Sequence, residues 1–141
     1  MKVRCISNAA KDLPKGIPPE KIWGNVADAR DRFFSLLVGK EYVVYGITIH
    51  LGYAWYYICD EDFIYYPVWN PSALFEISDG TLPSCWRVGL HSLSGSQEKT
   101  FLIAFPEWVD DQYFYDRLTD GDTKAVDVFQ NYRKIFEANV C

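Results

Sequence analysis

Apolar residues follow two different rhythms along this chain. Up to Phe105 they alternate with polar residues or run together in short blocks, whereas beyond Pro106 they return at every third or fourth position. The first rhythm predicts β-strands and the second predicts helices. The densest block is KEYVVYGITIHLGYAWYYICDEDFIYYPVWNPSALFEISDG, Lys40 to Gly80, and the rest of the chain is organised around it. It contains three β-rich runs, Glu41–His50, Tyr53–Cys59 and Ala73–Ser78. Only Leu51-Gly52 separates the first two, which is too short for anything but an antiparallel hairpin. Nearly every position of Glu41–His50 is apolar, so that strand is expected to be covered on both faces, with Gly46 marking a bulge or bend.

Other elements follow from the same rules. Lys2–Ile6 reads as a first strand, with Val3 and Cys5 on one face. Ser7–Gly24 reads as a loop, since Pro14, Pro18 and Pro19 forbid a regular element. Asn25 or Asp28 is placed to cap a short helix through Leu37, ended by Gly39. Asp60-Glu61-Asp62 reads as a hairpin tip, with Phe63–Tyr66 returning as a short strand. Cys85–Leu90 and Thr100–Phe105 predict two more strands around the polar loop Ser92–Lys99. A short acidic helix is expected over Asp110–Leu118. A second, capped by Asp122 or Thr123, is expected to reach about Asn139, with Ala125, Val128, Phe129, Tyr132 and Phe136 as its core-facing stripe. The expectation is one α+β, β-rich domain over 1–141, with a β part over 1–106 and a helical part over 107–141.

Pro67, Trp69 and Asn70-Pro71-Ser72 lead through one tight turn into the apolar run Leu74–Ser78. That succession resembles the ending of SH3-like barrels, over about residues 41–79. The resemblance implies an antiparallel, partly open SH3-like barrel or curled sheet, here followed by two C-terminal helices.

Composition adds two constraints. The chain holds 10 Tyr, 9 Phe and 5 Trp, more rings than a core of 141 residues can hide, so some are expected at the surface. The net charge of −5 is unevenly spread: residues 1–40 carry eight Lys/Arg against four Asp/Glu, and the remainder six against fifteen. Nucleic-acid binding needs clustered cations, so no nucleic-acid partner is expected, and the acidic remainder suits a basic protein. No membrane association is expected either, because no stretch approaches the ~18 apolar residues of a span. The N-terminus also has no apolar signal-like region. A cytoplasmic location is expected on that basis, with Cys5, Cys59, Cys85 and Cys141 as reduced thiols. Their spacings match no zinc pattern, and no metal or cofactor is expected.

No phosphate loop, dinucleotide fingerprint, nucleophile elbow or zinc-protease motif occurs, and Ser94-Gly95-Ser96 lacks a nearby base. Asp60-Glu61-Asp62 are candidates for cation binding or acid–base work, and more simply for turn chemistry. His50 with Cys59 or Cys85 is the one candidate nucleophile–base pair, against which stands the apolar setting of Cys59. Glu107–Asp127 is more suggestive, since Asp and Glu residues there interleave with Trp108, Tyr113, Phe114 and Tyr115. Charge speeds encounter with a basic partner and aromatic rings anchor it. Asp110, Asp111, Tyr113, Asp116, Asp120 and Asp122 are therefore the candidate contacts, with Tyr66 and Trp69 as a second aromatic surface.

The segments GKEYVVYGI (Gly39–Ile47), WNPSALFEI (Trp69–Ile77) and LPSCW (Leu82–Trp86) resemble a loose group of small bacterial cytoplasmic proteins of immunity type. That resemblance implies a non-enzymatic protein that neutralises a toxin by direct binding, the toxins often being basic nucleases. The segments are scaffold, and no functional residue transfers with them. Two other expectations stand beside it: an SH3-like adaptor docking through Tyr56, Tyr66 and Trp69, and a small hydrolase using Asp60–Asp62 or a cysteine.

Overall fold

The structure is a computed structural model that describes residues 1–92 and 97–138. In chain order it has β1 (Lys2–Cys5), the single turn α1 (Glu20–Trp23), β2 (Glu41–Val43), β3 (Gly46–His50), β4 (Tyr53–Ile58) and β5 (Val68–Pro71). There follow β6 (Phe75–Asp79), β7 (Arg87–Ser92), β8 (Lys99–Ala104), α2 (Pro106–Val109), α3 (Phe114–Thr119) and α4 (Thr123–Glu137). The chain is thus α+β, with every strand pairing antiparallel.

The run expected as one strand over Glu41–His50 is two. β2 pairs with β1 in a three-stranded sheet of order β2-β1-β6, and β3 joins a five-stranded sheet of order β5-β4-β3-β8-β7. Val44 and Tyr45 carry the chain across, both almost fully buried, and the change of sheet falls just before Gly46. Gly46 is also where Trp108 comes closest: a Cβ there would lie 3.1 Å from the indole ring. The described strands form two sheets and no closed barrel.

Alternation along the strands builds two cores. Val3, Cys5, Tyr42, Val44, Tyr56, Ile58, Leu74 and Phe75 fill the space between the sheets. Tyr45, Leu102, Ala104 and Phe105 face the other way, against Trp108, Phe114, Phe129 and Phe136 of the helical part. The five-stranded sheet is therefore a middle layer, which explains why its strands read as apolar on both faces. Leu51 (φ 55°) and Gly52 (φ 79°) both occupy the left-handed region, as a two-residue hairpin turn requires, and His50 pairs with Tyr53 across it.

Four further expectations change. Ser7–Gly24, expected to hold no regular element, carries a 3₁₀ turn at Ala10–Asp12 and the single turn α1, which starts directly after Pro18 and Pro19 because proline is tolerated at a helix start. No helix spans residues 25–37: apart from a 3₁₀ turn at Ala29–Asp31, this stretch runs beside residues 8–10. Phe34 N–H donates to Asn8 O (2.7 Å) and Ala10 N–H to Arg32 O (3.0 Å), long-range bonds that replace the helical ladder. Phe63–Tyr66 is not a strand but part of a wide loop, and β5 begins only at Val68. Its Pro71 is tolerated because β5 is an edge strand with one partner. Among the described residues the helical part has three helices instead of two. Asp111 accepts from Tyr113 N–H (3.0 Å) in a side-chain turn, delaying α3 to Phe114.

α4 matches its stripe, with Ala125, Phe129 and Phe136 buried, and Asp122 caps it by accepting from Ala125 N–H (3.1 Å). The expected end of that helix near Asn139 lies outside the described residues, as do Ser94-Gly95-Ser96 and Cys141. Cys5 and Cys59 are free thiols but Cys85 is disulfide-bonded, so the expectation of four reduced thiols fails. A disulfide requires only that two sulfur atoms meet in space, which sequence spacing does not reveal.

Candidate functional site

Two surfaces carry the sequence-derived candidates. The first is the helical face. Asp110 is exposed and ion-paired with Arg87 (2.9 Å), and Asp111 is ion-paired with Arg117, whose guanidinium holds its carboxyl below the usual range. Asp122 serves as the α4 cap. Asp116, Asp120 and Asp127 are exposed and have no ion-pair partner among the described residues. Of the interleaved aromatics, Trp108 and Phe114 are buried, and Tyr115 is half-buried with its hydroxyl donating to Pro67 O (2.7 Å). Tyr113 alone points outward, 64% exposed. A shallow depression of about 320 Å³ on this face is lined by Asp111 and Asp122 but also by Arg117 and Lys124.

The second surface was only partly foreseen. Trp69 stacks on His50 (centroids 5.0 Å apart) and packs against Trp55 (4.8 Å), forming an aromatic row on β3, β4 and β5. Trp23 and Phe34, themselves in contact at 4.9 Å, come from the N-terminal segment and face this row across a groove of about 350 Å³. Phe33 and Phe63 stand on its rim, 68% and 44% exposed. Tyr66 belongs to neither surface in full: it touches Phe63 (5.6 Å) but is packed against the helical core. Tyr56 is buried between the sheets and is no surface contact.

The charges of this groove are separated along its length. Lys21 and His50 lie toward the β3–β4 turn, where burial and then the Lys21 charge lower the His50 pKa. Asp60 and Asp62 lie beyond the far end of β4. Asp60 is buried and fixes its own loop, its Oδ1 accepting from Asp62 N–H (2.9 Å) and Phe63 N–H (2.8 Å). Burial nevertheless raises its pKa, and no cation pairs with it among the described residues. Asp62 accepts from the Ser35 hydroxyl and also has no ion pair. Glu61 between them differs, with Lys40 Nζ at 2.6 Å and the Tyr42 hydroxyl at 2.8 Å, and its pKa is lowered by Lys40 first.

Among the described residues, no cluster of three or more His, Cys, Asp and Glu is arranged to hold a metal ion. Burial pushes the Cys59 thiol up to about 11, which keeps it protonated and poorly nucleophilic at neutral pH. Cys85 is occupied by its disulfide. His50 has its ring face against Trp69, and His91 donates from Nε2 to Val109 O (2.7 Å). No described helix is long and apolar enough to cross a membrane.

The groove was missed because the strand pattern reveals only one of its walls. Trp23, Phe33 and Phe34 sit in a stretch read as loop and helix, and nothing local says that it folds back over β5. The one available signal was an aromatic cluster in a Pro-rich segment with no predicted core of its own.

No protein-family model matches this chain, and no curated protein or solved structure is significantly similar to it.

Proposed function

We propose that this protein is a non-enzymatic binding protein that captures a basic protein through its helical face, in the manner of an immunity-type inhibitor neutralising a toxin. One observation carries the reading. Asp116, Asp120 and Asp127 are exposed on the helical part without an ion-pair partner among the described residues, and Tyr113 of the same part points outward. Unpaired carboxylates steer a basic partner into encounter, and an exposed ring supplies the anchor that holds it afterwards. Arg87 and Arg117 offset part of the field at Asp110 and Asp111, so those two residues orient the surface more than they charge it. A cytoplasmic site of action, as expected for such an inhibitor, stands as part of the same proposal.

The test is co-purification from the source cell with wild type and with the double variant Asp116→Lys/Asp120→Lys. A basic protein retained by wild type and lost by the folded variant supports the proposal. A specific partner retained equally by both, or one that is itself acidic, overturns it.

A second reading is favoured by the strand order. A first strand flanked by β2 and β6, a chain that crosses from one sheet to the other at Val44–Tyr45, and a 3₁₀ turn at Ser72–Leu74 before β6 support an SH3-like reading. On this reading the β7–β8 hairpin and helices are additions to an interaction module, and its docking surface would include Trp69.

A further inference from the structure

We infer that the aromatic groove beside β5 is a second binding site, which receives an extended segment of a protein partner and takes an arginine guanidinium toward Asp60 and Asp62. The site is separate from the helical face, and no residue lines both. The inference therefore does not depend on what that face binds.

Three properties of the groove select this occupant. Its walls are aromatic on both sides, with Trp55 and Trp69 on the sheet and Trp23 and Phe34 on the segment folded over it. A planar guanidinium stacks on such rings at lower desolvation cost than a compact ammonium does. Its charge is polarised. Asp60 and Asp62 occupy one end without an ion-pair partner among the described residues, while Lys21 lies near His50 toward the other. A cation is therefore drawn to the acidic end, and Lys21 disfavours it at the other. The third property is length. β4, Tyr53–Ile58, runs from the His50 end to the acidic end, and six strand residues span roughly 20 Å. That reach suits several residues of extended chain better than one small molecule.

The Asp60 carboxylate strengthens the case. It is 8% exposed, both of its backbone hydrogen bonds come through Oδ1, and a further hydrogen bond comes from the neutral Asn70 side chain. They fix the loop but bring no positive charge. An arriving guanidinium would supply the missing counter-charge, and charge-assisted hydrogen bonds of this kind are the strong ones. Asp62, held by the Ser35 hydroxyl, lines the same end.

The test is an NMR titration of the isotope-labelled full chain with the peptide acetyl-Leu-Arg-Leu-amide. Controls are the same peptide with citrulline, which is isosteric and uncharged, and arginine amide alone. The arginine peptide is expected to shift the indole signals of Trp23, Trp55 and Trp69 and the amides of Asp62 and Phe63. It should bind about tenfold more tightly than the citrulline peptide, and arginine amide should bind more weakly than either. Asp62→Asn, which keeps the side chain's shape, is expected to weaken the arginine peptide several-fold and leave the citrulline peptide unchanged. Equal affinity for the two peptides would overturn the charge argument and leave an apolar slot. Arginine amide binding as tightly as the peptide would overturn the extended occupant. Shifts confined to the Tyr113–Asp120 face, or no shift at millimolar peptide, would overturn the site. Because the mapping is read on the wild-type chain, it stands even if a variant fails to fold.

Discussion

The helical face and the groove both place aspartates among aromatic rings, yet they use them differently. On the helical face three of the named aspartates already have structural duties: Asp110 and Asp111 hold arginines and Asp122 caps α4. The rings there turn inward, with Tyr113 the exception. In the groove the rings line an opening, and Asp60 and Asp62 have no cation of their own among the described residues. The difference follows from the elements involved. A helix packed on a sheet must bury one stripe of its rings, and its terminal and flanking acids find caps and arginines nearby, Arg117 within two turns and Arg87 on the neighbouring strand β7. An edge strand facing a long loop has no such periodic obligation, so rings and acids can meet at a cleft.

The sharpest way to break this comparison is to remove one ring from each surface. Trp69→Ala deletes contacts with His50, Trp55 and Tyr57 and should cost about 3 kcal/mol of stability, read from chemical denaturation. Tyr113→Ala should change stability by less than about 0.5 kcal/mol, because its ring is exposed. If the helical face docks a partner as proposed, the same substitution should weaken that complex by about 2 kcal/mol, mainly through faster dissociation. Equal stability losses at the two positions would show that the surfaces are not distinct in kind.

Capping gives a smaller effect. Asp122→Ala should cost about 1 kcal/mol by leaving the Ala125 N–H without its acceptor. Asp116→Ala, on a neighbouring exposed position, should be close to neutral in the same thermal melts. Both carry one negative charge, so a purely electrostatic account would predict equal effects.

The smallest effect concerns pH. Asp60 has its pKa raised in the folded state, chiefly by burial, so the folded protein holds its proton more tightly than the unfolded chain does. Stability must then fall as pH rises from the unfolded value through the folded one, and the cost of the buried charge is fully present above that window. Asp60→Asn keeps an oxygen for the Asp62 and Phe63 N–H groups while removing the charge. It should equal or exceed wild type in melting temperature at pH 7, and the difference should shrink toward pH 4. A variant less stable than wild type at pH 7, with a gap that persists at low pH, would mean that the carboxylate is compensated inside the fold.

Much of this protein was settled by local sequence. The two-residue turn at Leu51-Gly52, the burial stripe of α4 and its Asp122 cap, and the β-to-helix change at Pro106 all depend on neighbours within a few residues, where turn and periodicity rules operate. The α+β class follows from them. What the tertiary structure alone decided involves partners far apart in the chain. The apolar block at Glu41–His50 is equally consistent with one long strand or two, and the split was decided by β1 pairing with its first half while β4 and β8 pair with its second. The stretch at 25–37 gave up a helix because Asn8 and Ala10 offered its backbone hydrogen bonds. The groove was assembled the same way, from rings at 23 and 34, at 55 and at 69, with acids at 60 and 62. Each had an ordinary local explanation as loop, core or turn. Only the folding of the N-terminal segment over the β5 edge set rings against rings and left the two carboxylates without a counter-charge among the described residues.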